Sequence, residues 1–322
     1  MKKVVLFICF IGICTQCFCW GFYAHKKINY YAAFLLPPQM LLFYKPHIEF
    51  ITEHAIDPDK RRYAVAPEGP RHYIDIDHYG EYPYSEVPRK WEDALDKLGE
   101  DTLMAYGIVP WHVQVMLGRL TKAFKEKNFS SILKNSTELG HYIADAHVPL
   151  HATENHNGQF TNQKGIHGFW ESRVPELLAD KEFDFFIGKA QYIQDPGTFI
   201  WDRVLESALA ADSVLKFEKK LSAQLPSDKK YAFEERNHLL IKQYSSAYTR
   251  AYNKILNGMV ERRMRQSIFA IASFWYTAWV NAGQPDLSGL VNKTFTEDDL
   301  KGFEKLNDEW KAATKIIGRE HE

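Results

Sequence analysis

Apolar residues recur every three to four positions along most of the chain, the spacing of one helix face. The stretch 21–36 predicts a first helix, stopped by Pro37 and Pro38 because proline cannot continue the hydrogen-bond ladder. Trp111, Val115, Leu120 and Phe124 set the same period, and helices are predicted over 91–107 and 110–127. Two more follow at 129–146, with Ile132, Leu133, Leu139, Tyr142 and Ile143, and at 166–178, with Phe169, Trp170, Val174 and Leu177. Long helices are predicted at 199–225 and 231–279, the second broken near Gly258, and a last amphipathic one at 297–317. Between 46 and 80 the pattern lapses into four prolines, charged clusters and a short alternating piece at 71–79. Long irregular connections inside compact domains usually serve function, and the aromatics and histidines here speak against disorder. With no strand-rich block, repeat or low-complexity linker, the pattern predicts an all-α, multi-helix domain over 20–322.

Composition changes this picture mainly at the N-terminus. A chain of 322 residues, 45% hydrophobic and 25% charged, excludes a disordered or collagen-like protein, and a net charge of −1 argues against a nucleic-acid scaffold. Lys2 and Lys3 precede an apolar run at 4–13, and the small residues Cys17 and Cys19 stand three and one positions before Trp20. This is the layout of a secretory signal peptide over 1–19, which predicts a secreted or periplasmic protein. The apolar run is too short to span a bilayer, which takes roughly 20 residues. All four cysteines, Cys9, Cys14, Cys17 and Cys19, fall within the leader, and the residues before each fit lipid attachment poorly. With the leader go two lysines and no acidic residue, so the net charge falls from −1 to −3. The remaining chain holds no cysteine, and its stability must come from a core or from metal.

Thirteen histidines invite a search for shared helix faces. Residues four apart on a helix point to one side, so His141 with Asp145 and His167 with Glu171 can each act on a common metal. One such pair suits a solvated ion pair or a core histidine equally well. Two pairs, with His151 between them just past Pro149, are harder to read as ordinary surface. Cleavage before Trp20 would also free an amine and carbonyl for chelation, with His25 close by in WGFYAH; otherwise Trp20 is an aromatic core anchor.

WGFYAH at 20–25, Asp57, HYID at 72–75, HYIADAHVPLH at 141–151 and HGFWE at 167–171 together resemble the trinuclear zinc superfamily of bacterial zinc-dependent phospholipases C and single-strand-specific nucleases of the S-one/P-one type. The motifs run in the family's order. The resemblance implies a helical fold with three zinc ions. Asp57, His72, His141 and a bridging Asp145 would hold the first, and His151, His167 and Glu171 the second. The Trp20 amine and carbonyl, His25 and the other Asp145 oxygen would hold the third. It further implies hydrolysis of a phosphate ester, a zinc-bridging hydroxide attacking phosphorus in line and Asp57 orienting it. Lys60 stands three residues after Asp57, where the nucleases place an arginine, and a lysine lacks the bidentate fork. His147 reads as a supporting or helix-end residue rather than a ligand.

The substrate divides two ways. Tyr73 as a stacking platform and Asp75 as a base-edge acceptor fit single-stranded nucleic acid. Glu171 as the last ligand, the short 151–167 loop and the mild negative charge fit a phospholipid head group, and this phospholipase-C-like reading is the one expected. The competing class is a non-enzymatic protein in which zinc only staples helices together.

Overall fold

Prolines, glycines and short polar side chains set the ends of the helices. In the computed structural model, which describes residues 21–236, 239–313 and 315–317, these are α1 (Phe22–Ala33), α2 (Pro38–Tyr44), α3 (Ile48–Glu53), α4 (Asp57–Arg61), α5 (Trp91–Leu98), α6 (Glu100–Tyr106), α7 (Val109–Lys125), α8 (Phe129–Ala146), α9 (Ile166–Gly168), α10 (Val174–Glu182), α11 (Pro196–Gln224), α12 (Ser246–Ile255), α13 (Met259–Asn281) and α14 (Glu297–Ala312). Proline occupies the first turn of α2, α4, α7, α10 and α11, where its missing N–H costs nothing. Asn128, Asp195, Ser245 and Thr296 accept backbone N–H groups at the starts of α8, α11, α12 and α14. The leader and Trp20 lie outside the described residues.

Helix α8 lies against α1, α7, α11 and α13. Its Leu133, Leu139, Tyr142 and Ile143 are buried with Ile28 of α1, Met116 and Leu120 of α7, and Ile271, Phe274 and Trp275 of α13. Burying each such side chain contributes about 1.5–3 kcal/mol, so this apolar packing is the main source of the fold's cohesion. The same helix carries two charged-type residues, His141 and Asp145, with no exposed surface at all.

Two close approaches at glycines bring other segments to that pair. A Cβ on Gly140 would lie 2.1 Å from the side-chain Oδ1 of Asn29, so a larger residue there would displace the buried Asn29 amide at the contact of α1 with α8. Asn29 donates to the His25 carbonyl (3.1 Å), and the His25 ring stacks on His141 with centroids 3.9 Å apart. On the other side, Gly107 takes φ +90° and presses against Tyr73, whose carbonyl oxygen would be 2.2 Å from an added Cβ. Ile74 N–H bonds His151 O (2.9 Å), Asp75 N–H bonds Tyr106 O (2.7 Å) and Val109 N–H bonds Tyr73 O (3.1 Å). The alternating piece at 71–79 is thus pinned on both sides where it passes α8.

The mostly helical architecture agrees with the all-α expectation, with three local differences. The segment 46–80 contains α3, α4 and several 3-10 turns rather than an irregular loop. The helix predicted at 91–107 divides at Gly99, whose φ of +77° ends α5. Residues 231–236 and 239–244 are not helical: β1 (Tyr231–Arg236) and β2 (Leu239–Tyr244) pair antiparallel, as the two arms of a hairpin, with Tyr231 opposite Tyr244 and Phe233 opposite Lys242. Ser245 then caps α12, and Gly258, at φ +68°, separates α12 from α13 where the break was expected. Among the described residues no helix is long and apolar enough to cross a membrane.

Gly140→Ala is expected to displace the Asn29 amide and to cost about 1–3 kcal/mol, the usual penalty of overpacking. Urea unfolding of the variant against the parent measures it, and an unchanged midpoint would refute this account of the contact.

Candidate metal centre

Eight buried side chains from separate elements converge beside α8. His25 comes from α1, Asp59 from α4, and His72 from the end of the 3-10 run Ala66–His72. His141 and Asp145 stand one turn apart on α8, and His151 lies on the 3-10 turn Pro149–Ala152 that follows it. His167 belongs to α9 and Glu171 to the π-helical turn Phe169–Arg173, a helix irregularity common at functional sites. None of the eight is more than 4% exposed.

They form three groups, each able to hold a metal ion: His25, His141 and Asp145; Asp59, His72 and His141; and His151, His167 and Glu171. Asp145 links them. Its Oδ2 lies 2.9 Å from His72 Nδ1 and 3.2 Å from His141 Nε2, and its Oδ1 lies 3.4 Å from His25 Nε2 and 3.6 Å from His151 Nδ1. Asp59 Oδ1 is 3.7 Å from both His72 Nδ1 and His141 Nε2. In the third group His167 Nε2 is 3.0 Å from His151 Nε2 and from Glu171 Oε2.

The ring orientations show what these contacts need. His141 Nδ1 bonds the Ala55 carbonyl (2.8 Å) and His151 Nδ1 the His72 carbonyl (2.7 Å). A carbonyl only accepts, so in each neutral ring the proton sits on Nδ1 and the Nε2 lone pair faces inward. His141 Nε2 then meets His72 Nδ1 at 3.0 Å, and His151 Nε2 meets His167 Nε2. Lone pairs converging at such distances require a positive centre between them, a proton or a metal ion. Both ring nitrogens of His25, both oxygens of Asp59 and Asp145 Oδ1 have no hydrogen-bond partner among the described residues, although all are buried. Unpaired buried polar atoms are costly, and ligating a cation would satisfy them.

Charge in the metal-free cluster follows from burial and neighbours. Burial pushes the His25 imidazole down, and His141 beside it adds to the effect. Burial lowers His141 as well, but the Asp145 and Asp59 carboxylates outweigh it and raise its pKa to about 9. Burial acts to raise Asp145, while His141 and His151 hold it well below the usual carboxylate range.

Structure and expectation differ most at Asp57. Its carboxylate is bonded by His54 Nδ1 (2.6 Å) and Lys60 Nζ (2.9 Å) and belongs to none of the three groups. Asp59 stands in the place expected of Asp57. The reason is helical phase: in α4, Asp57 and Lys60 pair three residues apart on one side, whereas Asp59 and Arg62 pair on the other, 3.9 Å apart. Lys60 accordingly lies against Asp57 and above the Trp310 ring, so the cation beside the cluster is Arg62 instead. The Tyr73 ring is buried beneath Gly107 with its hydroxyl bonded to Ala105 O (3.3 Å), and it presents no open face to a base. Asp75 is also buried, close enough to raise the Tyr79 phenol. His147 is tied to the Ile143 carbonyl and stays out of all three groups. Trp20 lies outside the described residues. His25, His72, His141, Asp145, His151, His167 and Glu171 are brought together. Compared with known proteins, the chain matches no family model and no curated protein.

Titration of the metal-stripped protein with Zn2+ by calorimetry is expected to show at least about tenfold weaker uptake for Asp59→Asn and near-parental uptake for Asp57→Asn. The reverse order would return the ligand role to Asp57. With its pKa raised to about 9, metal-free His141 carries a proton at pH 7 that a cation must displace. Zinc binding should therefore release protons at pH 7, and this contribution should fade as pH rises through about 9, when the ring is already neutral. Calorimetry in buffers of differing ionisation enthalpy reads the proton count directly.

Proposed function

We propose that the protein is a zinc-dependent phosphodiester hydrolase of the phospholipase C type, exported to the periplasm or beyond by the leader at 1–19. The observation that carries this reading is the gathering of three buried histidine-and-carboxylate groups, two of which share His141 and lie against the Asp145 carboxylate. Imidazole and carboxylate donors without thiolate suit zinc better than calcium or magnesium. His25, His141 and Asp145, then Asp59, His72 and His141, then His151, His167 and Glu171 would hold three ions, with Trp20 completing the first set. Zinc in such sites supplies a Lewis acid for phosphoryl oxygens and brings the pKa of water toward neutrality.

The chain's own residues supply the rest. Asp59, with neither oxygen hydrogen-bonded, is able to orient a water molecule and accept its proton at the oxygen that does not face the cation. Arg62, 3.9 Å from Asp59, adds positive charge where a phosphoryl group would gain negative charge. Among the described residues each group has three protein donors, which leaves room for water or substrate on a four-coordinate ion.

Two features favour a lipid over single-stranded nucleic acid. The burial of Tyr73 removes the stacking platform that a base would use. The β1–β2 hairpin presents Phe233 and Leu240, about 70% exposed, on the face that also carries Lys242, and exposed Lys219, Lys220 and Lys229 precede it. Exposed apolar side chains beside a lysine suit the boundary of a bilayer. The hairpin is seated close to the centre, because Tyr244 stacks on Phe169, between His167 and Glu171, with centroids 3.7 Å apart.

The zinc-loaded protein is expected to hydrolyse bis-nitrophenyl phosphate, to lose that activity on chelation and to regain it with zinc. In parallel assays, phosphatidylcholine vesicles should be cleaved faster than single-stranded DNA. The Phe233→Asp, Leu240→Asp double variant should lose several-fold on vesicles and nothing on the soluble ester. Inertness of the loaded protein toward all phosphate esters would sink the enzyme, and preference for DNA would assign the nuclease alternative.

A further inference from the structure

A histidine ligand needs one ring nitrogen tied down so that the other faces the cation. For His141 and His151 the tie is a backbone carbonyl on Nδ1, which leaves Nε2 inward. His72 is turned the other way. Its Nδ1 is the inward atom, 2.9 Å from Asp145, 3.0 Å from His141 Nε2 and 3.7 Å from Asp59, while its buried Nε2, with no hydrogen bond among the described residues, has the Glu68 Oε1 acceptor 3.5 Å away.

Glu68 lies four residues before His72 in the same 3-10 run, and its side chain has no exposed surface. A buried carboxylate so placed must be stabilised by its surroundings, and this one is. Oε1 accepts the Tyr142 hydroxyl, and Oε2 accepts Arg71 at 2.7 Å and Arg61 at 3.3 Å. Arg61 is anchored in turn by Glu138 at 2.7 Å. Two guanidinium groups on one oxygen keep the carboxyl ionised. An ionised carboxylate only accepts hydrogen bonds, so the His72 nitrogen facing it must carry the proton.

We propose, on the reading that these groups hold zinc, that Glu68 is a positioning residue which keeps the His72 proton on Nε2 and thereby aims the Nδ1 lone pair at the ion shared with Asp59 and His141. Its negative charge also makes Nδ1 a stronger donor, as in carboxylate–histidine–zinc triads. Tyr142, on α8 one residue after His141, and Arg61, on α4 two residues after Asp59, tie this carboxylate to the elements that carry the other ligands. The three donors of the group are therefore held by one network.

Glu68→Gln keeps the side chain's shape and removes its charge. Titration of the metal-stripped protein with Zn2+ against a chromogenic chelator is expected to show one zinc equivalent weakened about 10–100-fold, with the others close to the parent. In the zinc-loaded parent, 15N spectra of labelled histidine should place the His72 proton on Nε2 and the metal on Nδ1, and in Glu68→Gln that Nε2–H resonance should move. Unchanged zinc affinity in the variant overturns the proposal, even where thermal unfolding is lowered, since that would be a purely structural role. A proton on Nδ1 in the parent overturns it too, without any need for the variant to fold. Absence of zinc uptake by the parent fails the metal reading itself, an outcome distinct from parental uptake with an indifferent variant.

Discussion

Asp145 has no exposed surface, yet nitrogen atoms of four histidines lie within 3.6 Å of its two oxygens. A carboxylate moved from water into a protein interior loses several kcal/mol of solvation, and only a close positive charge restores it. In the metal-free molecule that charge falls chiefly on His141, which the Asp145 and Asp59 carboxylates make a strong base despite its burial. Most other features of the centre follow from the need to place cations against this one group. The carboxylate uses its two oxygens for different neighbours, and so joins His25, His72, His141 and His151 in one electrostatic unit.

The fold meets that need by stacking constraints on α8. Helix α8 is wrapped by apolar neighbours, so its polar pair cannot relax toward solvent. Gly140 leaves space for the buried Asn29 amide at the contact with α1, where the His25 ring closes over His141. Gly107 does the same for the segment around Tyr73, whose extended backbone carries His72 to the opposite side of Asp145. A single methyl group at either glycine would meet an oxygen at little over 2 Å, which makes these positions as necessary as the ligands.

What was legible in the amino-acid order depended on the range of the interaction that decides it. The pairs His141 with Asp145 and His167 with Glu171 are set by helical spacing, and α8 spans the residues its period predicts. Asp57 against Asp59 could not be settled that way, because α4 is only five residues long and its phase is imposed by its neighbours. Glu68 stands at the same four-residue spacing from His72, hidden because Pro67 and Pro70 argue against a helix there; a 3-10 run brings the two near each other nonetheless. For the β1–β2 pair the apolar spacing predicts helix although Tyr231 and Phe233 alternate. It is secured by a distant contact, Tyr244 on Phe169, that local periodicity does not register.

The supporting contacts also bear on why metal would be present at all. In a protein that zinc merely staples, ligands gather only when the ion arrives, and folding free energy comes from binding. Here two of the ligand rings have protein anchors of their own, His141 the Ala55 carbonyl and His151 the His72 carbonyl, and His72 lies against a carboxylate held by two arginines and a tyrosine. The apolar core around α8 supplies cohesion of its own. Donors held this way by the fold need little rearrangement around a cation. Such an arrangement gives an advantage where charge must be stabilised during a reaction without the site having to reorganise, which supports the hydrolase reading over the structural one.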